Sequence, residues 1–139
     1  MLDGATWKPE LRIPVMARLA VLRHRAGDEG GAREDADAAL AFFEAERNQI
    51  FDYKRAETLI PLAEAFRSLG DAPAAHGIYA KAVEEGALNP NRRPRADDLT
   101  ATCCSMALHA VEPDAKLRAR LLEIRSGLEG PWVGEPEKQ

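Results

Sequence analysis

The chain has 139 residues, 19 Lys and Arg against 23 Asp and Glu, a formal net charge of -4 and 6% aromatic residues. That length suits one domain with a self-supporting core, and the mild negative charge gives no overall attraction to nucleic acid or to an anionic membrane. No apolar run approaches the roughly 20 residues that cross a bilayer, and no charged, apolar and small-residue series marks a leader peptide.

Ala, Leu, Arg and Glu dominate, and alternating strings of Val, Ile, Thr and Tyr are absent. That balance predicts an all-α chain. Residues 1 to 9, with Gly4 and Pro9, read as an irregular lead-in. Ile13, Met16, Leu19, Ala20 and Leu22 or Arg23 then recur at helical spacing, with Pro14 expected in the first turn and Gly27-Asp28 closing the helix. A second helix is expected from about Gly31 to about residue 50, with Ala32, Ala36, Ala39, Leu40 and Phe43 on its apolar face. Asp28, Glu29, Glu34, Asp35 and Asp37 put negative charge near its start, as the helix dipole favours.

Asp52, Tyr53 and Lys54 read as the next connection, with Thr58 or a residue just before it as the cap of a third helix and Pro61 in its first turn. Leu59, Leu62, Phe66 and Tyr79 supply bulk around Ala63, Ala75 and Ala82 in a hairpin that turns at Leu69-Gly70-Asp71. Asn89 to Arg95 reads as a polar, proline-bracketed loop. Beyond it, Leu99, Cys103, Met106 and Ala110 form one stripe and Leu117, Leu121, Ile124 and Leu128 another, around a turn at Glu112 to Asp114 in which Asp114 is the N-cap. Gly127 to Gln139 reads as a loose tail, with Trp132 folding back over the last helix.

Leu19-Ala20 before Gly27-Asp28 answers Leu62-Ala63 before Gly70-Asp71, an internal offset of 43 residues. The second hairpin carries Leu59, Leu62-Ala63, Phe66, Gly70-Asp71, Ala75, Tyr79 and Ala82, and in this it resembles the tetratricopeptide repeat. The first hairpin matches through Met16, Leu19-Ala20, Gly27-Asp28, Ala32, Ala36 and Ala39, with Arg23 and Ala36 where aromatics are usual. The 43-residue offset exceeds the family's repeat of about 34 residues, which implies longer helices or loops. The resemblance implies an αα-hairpin solenoid, a single domain of about six helices in three hairpins at about 11–52, 55–88 and 95–128, with a loose tail at 129–139.

Chemistry is sparse. His24, His76 and His109 stand far apart, outside any paired metal-ligand spacing, and no phosphate loop, nucleophile elbow or zinc pattern occurs. Cys103 and Cys104 are adjacent on a helix, where their side chains diverge by about 100°, so no disulfide joins them. No catalytic residue, cofactor or metal ligand is expected.

The resemblance implies a concave groove lined by the first helix of each hairpin, with Ala17, Val21, His24, Ile60, Glu64, Arg67, Thr100 and Cys104 facing a protein or peptide partner. The subgroup that clamps a chaperone's terminal carboxylate carries Lys, Asn and Arg there, and Ile60 and Glu64 stand at two of those places, so that ligand is not expected. Glu64 and Arg67, one turn apart, are equally placed to pair with each other. The leading expectation is a cytoplasmic, non-enzymatic interaction module with no membrane or nucleic-acid partner. A homodimer is the structural alternative. A second reading takes Arg92, Arg93 and Arg95 as an anion-binding regulatory loop, and a third takes the chain as a helical accessory subunit of an enzyme.

Overall fold

A computed structural model describes residues 7–129. It contains α1 (Pro9–Arg25), α2 (Glu29–Glu46), a short 3₁₀ turn (Arg47–Gln49), α3 (Asp52–Ser68), α4 (Ala72–Ala87), α5 (Arg92–Leu108) and α6 (Ala115–Glu129), with no strand among the described residues. The all-α expectation holds. Pro9, expected in the lead-in, opens α1, and Gly127 to Glu129, expected in the loose tail, continue α6; the lead-in before residue 7 and the tail beyond residue 129, with Trp132, lie outside the described residues.

Alanine decides how the helices meet. Ala17, Ala20, Ala36 and Ala39 in the first pair, and Ala63, Ala65, Ala75 and Ala82 in the second, are fully buried. With only a methyl group between them, helix axes approach closely, and Phe43, Leu59, Leu62, Phe66 and Tyr79 fill the remaining space. Each of these large side chains contributes about 1.5–3 kcal/mol by leaving water. Through this core α1 packs on α2 and α3, α3 on α4, α5 on α3 and α4, and α6 on α4 and α5.

The turns repeat one geometry. Gly27 and Gly70 adopt φ 86° and 82°, and the next amide, of Asp28 or Asp71, donates back to the Arg23 or Phe66 carbonyl at 3.0 Å. The third turn closes in the same way, Val111 donating to the Met106 carbonyl at 2.9 Å, but its left-handed residue is Ala110 at φ 51°. Ala110 therefore leaves the apolar stripe expected of it and stands exposed in the turn. Asp28, Asp71 and Asp114 then cap α2, α4 and α6, accepting from the amides of Gly31, Ala74 and Leu117 at 2.9, 3.0 and 2.7 Å. Those helices start at Glu29, Ala72 and Ala115, 43 residues apart each time, as do α1 and α3 at Pro9 and Asp52. Helix α5 starts three residues early on that count, and the longer turn before Asp114 absorbs the difference.

Several expected boundaries move. Helix α3 starts at Asp52, with Phe51 as its N-cap, so Asp52 to Lys54 is first turn rather than connection. Thr58 is buried in the second turn, its hydroxyl donating to the Lys54 carbonyl at 2.7 Å, and caps nothing. Pro61 is consequently mid-helix, and Pro14 is past the first turn of α1. Each proline lacks the N–H that the carbonyl four residues earlier, of Glu10 or Glu57, would accept. The loop expected over Asn89 to Arg95 is shorter: Arg92, Arg93, Pro94 and Arg95 form the first turn of α5, where proline costs no hydrogen bond. Helix α2 begins at Glu29, two residues before the expected start. Leu19 and Leu22 are exposed, because the α1 face that meets α2 and α3 carries Ile13, Ala17 and Ala20.

Since an L-residue in the left-handed region costs about 1 kcal/mol, Ala110→Gly is expected to raise stability by about that amount in urea unfolding. Gly70→Ala, where no atom lies within 4 Å of the added methyl, should lower it comparably through backbone strain alone.

Candidate functional site

Helices α1 and α3 lie side by side, and two cavities of about 420 and 360 Å³ run between them. Arg18, Pro61 and Glu64 line both, which makes the two a continuous groove. Leu11, Pro14 and Ile60 furnish apolar wall at one end, and Val21 and Leu22 at the other. Pro14 and Pro61 both face it, so the carbonyls of Glu10 and Glu57 that lack a helical donor lie along the same cleft. At its edge Arg18 and Arg25 are exposed and, among the described residues, hold no ion pair or hydrogen bond.

The far wall is a polar chain that fastens α5 to α3 and α4. Ser105 donates to Glu64 Oε1 at 2.7 Å. The fully buried Tyr79 hydroxyl lies 2.7 Å from the same Ser105 oxygen and is therefore the donor of that pair. Burial pushes the Tyr79 phenol above its ordinary pKa. His109 Nδ1 lies 2.9 Å from the Ser105 carbonyl, which only accepts, so this nitrogen carries the proton. Arg67 Nε donates to the His109 carbonyl at 3.0 Å. Glu64 and Arg67 are thus both engaged with α5 rather than with each other.

The expected partner-facing residues separate. Val21, Ile60 and Glu64 do line the groove. Ala17 lines it too but is fully buried, so it is floor rather than contact surface. His24 is half-buried with Nδ1 2.8 Å from Glu29 Oε2, and it joins α1 to α2. Thr100 and Cys104 are exposed on α5 and line neither cavity. Sequence reading missed Arg18 and Arg25, although their seven-residue spacing places them on one helix side, and it missed Ser105 and His109, whose partners lie up to 42 residues away.

The three arginines of the second reading do not converge as a loop. Arg95 Nη1 turns back to the Asn89 and Pro90 carbonyls at 2.9 and 3.1 Å. The adjoining cavity, of about 350 Å³, is lined by Asp52, Glu57, Asp97 and Asp98. Burial, then the Glu57 and Asp97 charges, push the Asp98 carboxyl up to about 6, and its Cβ is pressed against the open backbone of Gly86, 3.0 Å from where a side chain there would begin. This surroundings disfavours an anion. Among the described residues no three His, Cys, Asp or Glu groups are arranged to hold a metal ion, and no helix is long and apolar enough to cross a membrane.

Ser105→Ala leaves the buried Tyr79 hydroxyl without its acceptor, and a loss of about 1–3 kcal/mol is expected in chemical unfolding; Tyr79→Phe in the same background should recover part of it. Asp98 holds its proton in the folded state at pH values where the unfolded chain, with a carboxyl near 3.9, has released it. Its contribution to stability therefore falls as pH rises from about 4 to about 6. Asp98→Asn should melt above wild type at neutral pH, with the difference shrinking below about pH 4; a difference constant across that window contradicts the assignment. Compared with known proteins, the chain matches no family model, no curated protein and no solved structure.

Proposed function

We propose that the chain is a non-catalytic, tetratricopeptide-like helical-repeat module that holds a segment of a partner protein, peptide or helix, in the groove between α1 and α3. The observation that carries this reading is the continuous groove itself: apolar wall from Leu11, Val21, Leu22 and Ile60, edged by the unpaired Arg18 and Arg25. Apolar side chains give a partner area to cover, and free guanidinium groups select carboxylates beside that apolar stripe. Of the titratable side chains that line the groove, Glu64 and His109 are held by Ser105 and Glu57 by Lys54, which favours a scaffold over a reacting centre. Unpaired Cys103 and Cys104 fit a reducing, cytoplasmic setting.

Peptide display against the wild-type chain tests the reading. Selected peptides should be apolar with acidic residues, and should bind at least about tenfold more weakly to an Arg18→Glu, Arg25→Glu variant with unchanged helical content. Equal binding by the variant, or no enriched peptide, contradicts it.

A further inference from the structure

Where α3 meets the loop after α4 and the start of α5, carboxylates from two helices line the cavity of about 350 Å³: Asp52 and Glu57 of α3, Asp97 and Asp98 of α5. Lys54 is the one cation among the lining residues. Its Nζ donates to Glu57 Oε2 at 2.7 Å and lies 5.9 Å from the centre of the Tyr53 ring. Among the described residues no ion pair reaches Asp52, Asp97 or Asp98, so the cavity keeps an uncompensated negative charge.

Two buried polar atoms of its lining residues also lack a hydrogen-bond partner. Asn89 is only 2% exposed, and its Oδ1 accepts from the Asn91 amide at 3.2 Å; its Nδ2, a donor, has no acceptor. Asp98 Oδ2, an acceptor, has no donor. A buried group left in this way costs about 1–3 kcal/mol. The molecule that satisfies both must donate to a carboxylate and accept from an amide. Water does both but leaves the carboxylate charge uncompensated. A metal ion supplies charge, but no three of these acids are arranged around one point.

We infer that this cavity binds a small organic ammonium that carries a neutral oxygen, an amino alcohol or amino sugar: the ammonium donates to Asp97 and Asp98, and the oxygen accepts from Asn89 Nδ2. Its carbon skeleton has Pro90, Pro94 and the Tyr53 ring to cover, and that ring already faces the Lys54 ammonium. The inference does not rest on the groove reading, since of these lining residues only Lys54 and Glu57 also line the groove. Binding is linked to a proton. The Asp98 carboxyl, pushed up to about 6, faces Glu57 and Lys54 from α3 and Asp97 from its own helix, and Gly86 of α4 beside it brings no charge. Only its ionised form compensates an ammonium, so binding releases a proton and weakens as pH falls through about 6.

Proton–nitrogen NMR on the full chain tests this, with aminocyclohexanol and glucosamine each added to about 20 mM near pH 7. At least one should give a saturable shift of the Asn89 side-chain amide. Cyclohexanol, which lacks the charge, and cyclohexylamine, which lacks the oxygen, should each bind at least about tenfold more weakly than aminocyclohexanol. Affinity for the amino alcohol should fall about tenfold between about pH 7 and about pH 5. Asp98→Asn, expected to fold with higher stability at neutral pH, should bind about tenfold more weakly and lose that pH dependence. No saturable shift with either amine, cyclohexanol or cyclohexylamine binding as well as aminocyclohexanol, or an Asp98→Asn variant that binds like wild type would overturn the inference.

Discussion

The aspartate that ends each turn is the contact on which the arrangement of helices depends. Asp71 accepts the Ala74 amide and, at 2.6 Å, Arg33 Nη1 from α2. The amide first and Arg33 second hold its carboxyl below the ordinary range, so its contribution is present at neutral pH and lost on acidification below about 4. Arg33 also lies over the Phe66 ring at 5.2 Å, tying the same cation to the core. At the next turn His76, 43 positions after Arg33, takes the equivalent place, its Nε2 accepting from the Asp114 amide at 3.2 Å. A side chain of each preceding pair thus meets the cap of the next.

A buried carboxylate reinforces this between α2, α3 and α4. Glu85 is held by Arg47, whose Nη2 donates at 2.9 Å, with Arg55 Nη1 at 3.8 Å. Arg55 Nε meanwhile satisfies the Arg47 and Ile50 carbonyls of the connecting segment at 3.1 and 3.0 Å. Burial of such a group costs desolvation that its partners only roughly offset. What it supplies is register: only one placement of α4 against the 3₁₀ turn satisfies all these groups. On the other side of the core, α1 and α3 pack side by side, and the groove lies between them with Ala17 as its floor.

Much of this was legible. Gly27 and Gly70, each before an aspartate, announce their turns because only a residue without Cβ adopts a positive φ cheaply. Ala110 carries no such signal, and the third turn had to be read from Asp114. Phe51 is not a capping residue, so the start of α3 was hidden behind polar Asp52 and Lys54, and proline at 94 suggested a break where it fits a first turn. Periodicity gave the apolar side of α1 but not which part of it another helix covers, which is why Leu19 was misplaced. The chain Tyr79, Ser105, Glu64 joins three helices and leaves no local pattern at all.

The central claim is that a partner segment is held in the groove between α1 and α3. Methyl-resolved NMR spectra recorded on titration with a peptide selected on the chain would locate the contact. The account predicts shifts at Val21, Leu22 and Ile60 with Leu122 unchanged. Shifts centred on Leu122 and α6, with Ile60 unmoved, would contradict it.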